Sequence, residues 1–587
     1  MSDGRLPVRR RWLRWVIALV VTVVVLAVGW VVIRGIGAVT DLQRVADSSS
    51  ELKSAVSSGD LERAEQLAQR IAHHARSAHD LTSDPVWGAF TVVPWLGPNF
   101  SAVSEVAAIA DDVAAGALDP VLAAAADLDF ASLGLSGGAV DLTPFEAIER
   151  PLAAADETLA GADARARSID ADAALPPLTD AVRKMRGAVS EAATVVGTLH
   201  GAAQLLPGML GGGGPRSYVV AMQNNAELRS SGGIVGAIAL LQADGGRITL
   251  TRQASTRDFP PLDVPLPTSD SATALFEDRP GRFIQNTTSI PDFPEAAALI
   301  ASRWQDRFGT PVDGVIAVDA VMTRHLLAAT GPLTFGPFTV DEHTVVDFLL
   351  SGIYAAVPDP AQQDEVFAQA ATALFGAALS NAQPRQLLDA LVTSAQENRI
   401  RIWSAHAEEE DVLGASTLGG GLPVDGEGQE TVGVLLNDTT GGKMDFYTDA
   451  AITTAVGVCD GETTTQVRVT WTNNAPADAA TALPPYVTAS GWYGVPPGSV
   501  RTLIAIYGPE GATPSHIDRD GADQPVQTAL LGDRSAVQHE VLLAPGESTT
   551  ITIAFTGATA GSSPTMVAHT PMVRTPDIQH EQLRCVS

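Results

Sequence analysis

The feature that most constrains this chain is an uninterrupted apolar run near its N-terminus. Residues 15–33 have the sequence WVIALVVTVVVLAVGWVVI, nineteen residues without a charged side chain. At a rise of about 1.5 Å per residue, a helix of this length covers the hydrocarbon core of a bilayer. The apolar part of a cleaved signal peptide is usually shorter and ends in small residues, whereas this run continues into Trp30, Val31, Val32 and Ile33. The sequence therefore predicts a retained transmembrane helix.

Charged residues flank this run asymmetrically. Five arginines precede it within the tail 1–14, and only scattered charges follow it. Because arginine and lysine are enriched in cytoplasmic segments, the pattern predicts a cytoplasmic N-terminus and export of the chain after residue 33. We expect a single-pass plasma-membrane protein, held by a signal anchor, whose bulk is extracytoplasmic. Arginine and alanine far outnumber lysine, a bias associated with GC-rich bacterial genomes, so we expect the outer side to be a bacterial cell envelope.

The net charge of the chain is −30. A charge of this sign and size repels phosphate backbones, so a nucleic-acid partner is not expected. For the same reason, an anionic ligand needs a local cluster of arginines. The partners that the sequence favours are therefore the lipid bilayer and ligands bound at such a cluster.

The chain has two cysteines, Cys459 and Cys585, both in the part predicted to be exported. An even pair in an oxidising compartment predicts a disulfide, and two unpaired buried thiols are the alternative. In the chain-entropy model, closing a loop of this length contributes about 4 kcal/mol to stability.

Changes in composition divide the exported part into three regions. Residues 34–207 are rich in alanine, with apolar positions three and four residues apart, which predicts a helical stalk or bundle. After a glycine-rich joint, strands interleave with helices over 216–415, with DGG at 244–246 as a hairpin turn, and this predicts an α/β domain. Short strands rich in Thr and Val over 431–587 predict a β-sandwich with a C-terminal tail.

One segment of the helical region is unusually apolar. Residues 88–100 have the sequence GAFTVVPWLGPNF, centred near Trp95. Such a segment is apolar enough to touch a membrane surface, or to form a buried turn between helices. We favour the buried turn.

The densest polar segment is QNNAELRSSGG, residues 223–233, between two predicted strands. Loops at strand ends are where α/β sheets bind ligands. Asn225, Glu227 and Arg229 are candidate ligand-binding residues, because an arginine can bind two phosphate oxygens beside exposed backbone N–H groups. The alternative is a turn whose polar side chains satisfy backbone groups.

Further candidate residues follow at other predicted strand ends. In STRD, Arg257 is placed to hold an anion and Asp258 to coordinate Mg²⁺ or accept a proton, whereas the alternative is an ordinary surface ion pair. Asn286 lies in a polar loop, and Asp319 ends an apolar strand. Asp319 is equally interpretable as the N-cap of a helix that begins near Val321.

Several long phrases carry a family resemblance. They are the polar segment with its following strands, SIPDFPEAAALIASRW, PVDGVIAVDAVMTRHLLAATGPL and LNDTTGGKMDFY. Together they resemble the bacterial domain-of-unknown-function 4012 family over most of the exported chain. More remotely, the order of elements resembles the LytR-CpsA-Psr family, because STRD is similar to that family's Ser-x-Pro-Arg-Asp strand end and Asn286 falls near its Asn-x-Ala segment.

The second resemblance implies a LytR-CpsA-Psr-like α/β domain and a ligand class. Members of that family transfer glycopolymers from polyprenyl-pyrophosphate carriers to the wall. On this resemblance Arg229 and Arg257 face one cavity and bind the pyrophosphate, and Asp258 is a catalytic residue that helps to hold Mg²⁺. The chain departs from the pattern in YAAVPDPAQQDEVFAQAATALF, which has no arginine. A non-catalytic envelope scaffold or protein-interaction module is therefore the alternative function, and whether the chain is an enzyme stays open.

Overall fold

The computed structural model forms two compact units. Unit 1 comprises residues 1–130 and 142–208, and unit 2 comprises residues 131–141 and 209–587. The structure describes residues 9–58, 60–127, 135–136, 139–170, 174–380, 384–422, 425, 429–459, 461–525, 528–557 and 565–585. The first eight residues of the predicted cytoplasmic tail lie outside the described residues.

Unit 1 is helical in its described part, as its alanine-rich composition predicts. Its helices are α1 (Arg9–Ser58), α2 (Leu61–Thr82), α3 (Pro85–Phe90), α4 (Gly97–Val113), a π-helical turn (Ala114–Leu118), α5 (Asp119–Asp127), α6 (Thr143–Ser168) and α7 (Pro176–Met209). The small residues Ala64, Ala68, Ala75 and Ala78 recur along one buried face of α2. Residues at this spacing share one side of a helix, so α2 packs closely against its neighbours.

Helix α1 is long and apolar enough to cross a membrane. Most of its described apolar side chains between Trp15 and Val39 are exposed, among them Val24 and Ile33. In water such a surface is unfavourable, whereas in hydrocarbon it is the expected exterior of a spanning helix.

The apolar turn between α3 and α4 differs from its prediction. The sequence favours a buried turn, but Val92 is 81% exposed, Trp95 is 90% exposed and Leu96 is 52% exposed. The flanking residues Trp87 and Gly97 are buried instead. The apolar side chains of the turn itself therefore point away from the core of unit 1.

Unit 2 contains a seven-stranded mixed sheet. Its strands are β1 (Leu135–Ser136), β2 (Ala139–Val140), β3 (Arg216–Arg229), β4 (Gly232–Asp244), β5 (Arg247–Ser255), β6 (Gly314–Asp319) and β9 (Ile400–Ser404), in the order β1-β2-β5-β4-β3-β6-β9. The pair β3 and β6 is parallel and the other neighbours are antiparallel. Asp244 pairs with Arg247 across the predicted DGG turn. The β1–β2 hairpin, assigned from sequence to the helical region, instead joins the sheet edge through Ala139 and Arg247.

Helices accompany this sheet over residues 209–422, which we call the mixed-sheet region. They are α8 (Asp270–Phe276), α9 (Arg279–Arg282), α10 (Phe293–Phe308), α11 (Met322–Thr330), α12 (Val345–Asp347), α13 (Ile353–Ala356), α14 (Pro360–Ser380), α15 (Pro384–Gln396) and α16 (Ala407–Gly414), with a separate hairpin of β7 (Leu333–Phe335) and β8 (Phe338–Val340). On one side of the sheet, Phe293 and Trp304 of α10 pack against Val219 and Val315 in a buried core. Alternate strand residues face the other side.

Two further sheets occupy residues 429–585, which we call the two-sheet region. The strands are β10 (Thr431–Asp438), β11 (Thr448–Cys459), β12 (Glu462–Asn473), β13 (Val500–Tyr507), β14 (Thr513–Arg519), β15 (Ala522–Asp523), β16 (Thr528–Leu531), β17 (Arg534–Leu543), β18 (Ser548–Thr556), β19 (Met566–His569) and β20 (Asp577–Gln582), with short helices α17 (Ala479–Ala482) and α18 (Pro485–Thr488). The orders are β16-β17-β13-β10-β19 and β15-β14-β18-β12-β11-β20. Val434 and Val537 of the first sheet share a buried core with Trp471 and Ile553 of the second.

A disulfide joins Cys459 at the end of β11 to Cys585 in the C-terminal tail. The tail strand β20 pairs in parallel with β11, with Ala451 opposite Asp577. Parallel strands cannot be joined by a short hairpin turn, so no short loop links β20 to β11. The disulfide holds this last strand in place instead.

Replacing both cysteines by alanine is expected to lower the free energy of unfolding by about 2–5 kcal/mol, because the unfolded chain gains the freedom of an open loop. The two positions are 126 residues apart. Urea unfolding monitored by fluorescence measures the change. Reductant should lower the stability of the wild type by a similar amount and leave the double variant unchanged; equal stability of both proteins without reductant would contradict a structural role for the bond.

Candidate functional site

The polar segment 223–233 lies where β3 ends and β4 begins. The register between these strands jumps from the pair Asn224–Ile234 to the pair Leu228–Gly233. Residues 225–227 therefore bulge out of the ladder, and Asn224 Oδ1 accepts a hydrogen bond from the N–H of Ala226 to hold the bulge. Bulges redirect side chains, so this short stretch sends polar groups towards different neighbours.

The central interaction of the site is a buried ion pair. Lys443 Nζ lies 2.6 Å from Glu227 Oε2, and the two side chains are only 9% and 12% exposed. The rings of Tyr354 and Tyr486 lie within 5.6 Å and 5.2 Å of the ammonium group. Burial by itself lowers the pKa of Lys443, but the Glu227 carboxylate and the two tyrosines raise that pKa above its ordinary value. Lys443 is therefore held as a cation.

A second carboxyl group lies next to this pair. The N–H of Leu228 donates to Asp445 Oδ2 at 2.7 Å, while Asp445 Oδ1 has no hydrogen-bond partner within the described part of the chain. Burial, reinforced by the neighbouring Asp438, raises the pKa of Asp445 well above its usual range. Burial also raises the pKa of Asp438, although Arg229 opposes this shift.

Further backbone and side-chain hydrogen bonds join the end of β3 to the two-sheet region. The N–H of Ser230 donates to Asn437 Oδ1 at 3.1 Å, and Asn437 Nδ2 donates to Ser230 Oγ at 2.8 Å. Thr570 Oγ1 donates to the carbonyl oxygen of Ser230. We call the set Glu227, Leu228, Ser230, Asn437, Lys443 and Asp445 the polar junction, because it joins the mixed-sheet region to the two-sheet region.

A cavity of about 440 Å³ lies beside the junction, between the mixed sheet and helices α11 and α14. Met222, Ile234 and Val318 contribute from the sheet. The surrounding wall is mainly apolar and comprises Leu327, Leu333, Phe335, Val345, Leu349, Leu350, Phe367, Ala370 and Leu374. The sheet is thus packed solidly on its α10 side and borders a cavity on the other.

A few polar groups also line the cavity. Glu227 and Lys443 connect it to the junction. Gln223 is buried, and its Nε2 has no hydrogen-bond partner among the described residues. Arg257 Nη1 lies 3.5 Å from Asp364 Oδ2, in a pair whose side chains are 49% and 36% exposed. The same cavity is lined by the exposed aromatic residues Trp492 and Tyr493.

The two arginines that were predicted to face one cavity have different surroundings in the structure. Arg257 lines the cavity, whereas Arg229 is not among the described residues that do. Arg229 Nη1 donates to the carbonyl oxygens of Leu228 and Asp438, and Nη2 donates to Asn286 Oδ1 at 3.2 Å. Its guanidinium group is thereby engaged in the protein interior, close to the junction. Binding of one pyrophosphate by Arg229 and Arg257 together stays a prediction.

Asp258 serves the turn in which it lies. Its Oδ2 accepts a hydrogen bond from the N–H of Ser255, and Ser255 Oγ accepts one from the N–H of Arg257, which caps a short 3₁₀ turn. Mg²⁺ binding at Asp258 stays a prediction. Among the residues that the structure describes, no three His, Cys, Asp or Glu side chains form a group that could hold a metal ion.

Asn225 and Asp319 form a separate buried network. Asn225 Nδ2 donates to Asp319 Oδ2 at 3.0 Å, and Arg399 Nη1 lies 2.8 Å from the same oxygen. Asp319 Oδ1 accepts a hydrogen bond from the N–H of Met322, so it also caps the first turn of α11. Asp319 lines the cavity, but both of its oxygens already have protein partners.

Sequence reasoning missed Lys443, Asp445 and Asp364, and it included Gln223 only as the first residue of the polar segment. The segment LNDTTGGKMDFY attracts attention only as a family signature, although it supplies one side of the junction. The available signal is the placement of one of the few lysines of the chain beside two glycines and three acids or amides. No neighbouring residue indicates that Glu227, the ion-pair partner of Lys443, lies 216 residues earlier in the chain.

Part of the mixed-sheet region matches a known protein family. Residues 213–354 match the family described as Protein of unknown function (DUF4012). The predicted resemblance to this family is thus confirmed for this segment, which includes β3 to β6 and much of the cavity wall. No curated protein matches the chain. Lys443 and the rest of the two-sheet side lie beyond the matched segment.

The raised pKa of Asp445 predicts a pH-dependent effect of Asp445→Asn. The pKa of this carboxyl group is higher in the folded state than its ordinary value near 3.8 in the unfolded chain. Folding therefore becomes less favourable as the pH rises above 3.8. The loss is about 1 kcal/mol for each pH unit between the two pKa values. The asparagine keeps an oxygen acceptor for Leu228 and does not ionise. Denaturant unfolding should therefore show the variant gaining stability over the wild type between pH 4 and pH 7.

The matched control is Asp478→Asn, at an exposed position. Its stability relative to the wild type should change little over the same pH range. If the two variants show the same pH profile, the pKa of Asp445 is not raised by its burial as the structure indicates.

Proposed function

We propose that this chain, whose residues 213–354 match the DUF4012 family, is a membrane-anchored protein of the bacterial cell envelope that binds a polyprenyl-type lipid. Helix α1 is the anchor, and both the mixed-sheet and two-sheet regions lie outside the cytoplasm. A segment of the apolar chain of the lipid occupies the cavity of the mixed-sheet region. The observation that carries this proposal is the apolar cavity itself.

Size and lining both support a segment of a lipid chain as the occupant of the cavity. Small-molecule sites generally have volumes of about 300–1,000 Å³, with mainly apolar walls and a few polar groups, and a cavity of about 440 Å³ fits this description. Each methylene group transferred from water into such a site contributes about 0.8 kcal/mol. A branched or linear hydrocarbon therefore gains affinity along the wall formed by Leu327, Phe335 and Leu350.

The polar groups of the cavity suit a phosphorylated head group. The ion pair between Arg257 and Asp364 is half exposed, and pairs of this kind contribute little net stability. Arg257 is consequently available to exchange its carboxylate for phosphate oxygens, which an arginine can bind through two N–H groups. The unpaired Nε2 of Gln223 supplies a further donor for an ester or hydroxyl oxygen.

The arrangement favours binding over transfer. Displacement at a pyrophosphate needs cations that neutralise its developing charge. The second arginine of the expected pair, Arg229, is engaged with Leu228, Asp438 and Asn286. Helix α14, which forms one wall, has no arginine or lysine. We therefore propose that the protein holds or presents the carrier lipid of a glycopolymer, in a fold related to the LytR-CpsA-Psr domain, with the two-sheet region as a β-sandwich.

A substitution of Gly236 by leucine tests this proposal. Gly236 is an exposed position of β4 that lines the cavity, and a Cβ added there would have only ordinary contacts, the nearest at 3.8 Å. The leucine side chain should therefore fill part of the cavity without strain in the strand. We expect saturable binding of decaprenyl phosphate to the wild type and a loss of at least about tenfold in affinity for the variant, measured by displacement of a fluorescent lipid.

The matched control is Gly414→Leu, on the exposed end of α16, where an added Cβ meets no atom within 4 Å. This variant should bind as the wild type does. Arg257→Ala should weaken binding of decaprenyl phosphate while leaving binding of decaprenol, which lacks the phosphate, nearly unchanged. If the folded wild type binds neither lipid, the non-catalytic scaffold becomes the better account.

A further inference from the structure

The exposed turn at residues 91–96 belongs to a stretch that has no charge. Residues 85–104 contain no acidic or basic side chain, although the chain as a whole has a net charge of −30. At the centre of this stretch Val92, Trp95 and Leu96 are exposed. Contiguous exposed apolar groups in water are unfavourable and usually mark an interaction surface.

Contacts between α1 and α2 place this turn along the membrane-spanning helix. Glu51 pairs with Arg63, and Asp41 accepts a hydrogen bond from Ser77 Oγ. As the numbers rise along α2, their partners on α1 therefore fall, so the two helices are antiparallel. Helix α2 runs towards the apolar part of α1, and the turn lies beyond its far end.

The next contacts reach the edge of the apolar run. Trp30 Nε1 donates to Asp84 Oδ2 at 3.4 Å, and Trp87 packs in one buried cluster with Val31 and Ala38. Phe90, the last residue before the turn, contacts the same cluster. The turn is thus attached to the segment of α1 where the predicted span ends.

The surface of α1 at this level is also suited to lipid. Ile33, Ile36 and Val39 are exposed apolar residues on α1. Arg34, which lies among them, is mostly covered and pairs with Asp84 at 2.9 Å between Nε and Oδ2. Its charge is therefore balanced at the protein surface, and the apolar exterior of α1 continues beside the turn.

The turn is rigidly held. Trp87 and Phe100 contact each other edge to face, with ring centroids 5.1 Å apart. Gly97 has no room for a side chain, because a Cβ there would overlap the carbonyl oxygen of Thr91. Trp95 has a φ of 66°, which is unfavourable for a residue with a side chain. The fold thus maintains a strained backbone that displays a tryptophan outward.

We propose that the turn at residues 91–96 lies in the interfacial layer of the same bilayer that α1 spans. Trp95 takes the head-group level, which tryptophan favours because its ring is apolar and its N–H is polar. Val92 and Leu96 extend into the acyl boundary, and the lack of charge removes the penalty for approaching hydrocarbon. With α1 and the turn both in contact with lipid, the helical unit is fixed at a defined height instead of rotating freely about one helix.

The test uses the full chain in liposomes of zwitterionic phospholipid. A single cysteine is introduced at Val92, Val24 or Val56, each an exposed position of unit 1, and labelled with an environment-sensitive fluorophore. The native cysteines are joined in a disulfide and do not react. Quenching by lipid-bound nitroxide and by aqueous iodide then reports the surroundings of each label.

This inference rests on the anchoring part of the proposed function, and Val24 tests that part separately. We expect lipid nitroxide to quench the labels at Val24 and Val92 several-fold more than the label at Val56, and iodide to show the opposite order. Iodide quenching at Val92 equal to that at Val56, with Val24 still in lipid, would overturn the inference alone. Protection of Val92 from both quenchers would also overturn it, because a second protein copy would then cover the turn.

Discussion

The buried ion pair between Glu227 and Lys443 is the constraint on which the arrangement of unit 2 depends. Removing two charges from water is unfavourable by several kcal/mol unless each has its partner, and a single buried charge is worse than the pair. The bulge of β3 and the turn before β11 therefore have to fold together. The hydrogen bonds from Leu228 to Asp445 and between Ser230 and Asn437 surround the pair, so the mixed-sheet and two-sheet regions are joined by a specific polar contact.

This junction also determines one boundary of the cavity. Lys443 and Gly441 line the cavity from the two-sheet side, while Gln223 and Glu227 line it from the mixed sheet. A Cβ at Gly442 would overlap the carbonyl oxygen of Val487, so this turn and the segment that leads to Trp492 pack without space between them. The cavity is consequently bounded on this side by the buried ion pair and by close packing.

Small residues explain why space remains on this side of the sheet. Gly236, Ala237, Ala320, Ala370 and Ala371 line the cavity at positions where larger side chains would fill it. On the opposite side, Phe293 and Trp304 pack fully against the same strands. The close packing on one side shows that this sheet can form a dense core. The space on its other side therefore supports a ligand-binding role for that side.

Local patterns made part of this architecture predictable. The apolar run of α1, the alanine spacing of α2 and the DGG turn are encoded within a few neighbouring residues, as are the phrases that indicate DUF4012. The junction was not predictable in this way, because Glu227 and Lys443 are far apart in sequence. The local pattern marks Glu227 only as a candidate ligand-binding residue, and Lys443 resembles an ordinary surface charge. Arg229 illustrates the same limit: its side chain has the chemistry to bind phosphate, but tertiary structure directs it to carbonyl oxygens.

The exposure of the turn near Trp95 was equally hard to predict, because hydrophobicity alone favours its burial. In the structure the rings of Trp87 and Phe100 form the interior, whereas Trp95 faces outward.

Native mass spectrometry of the full chain, released from its own membrane in mild detergent, tests the central claim most directly. The account predicts that wild-type protein carries a bound amphiphile with a long hydrocarbon chain and that the Gly236→Leu protein does not. Wild-type protein without any bound lipid, or equal retention of the lipid by the Gly236→Leu protein, would contradict the assignment of the cavity as a lipid site.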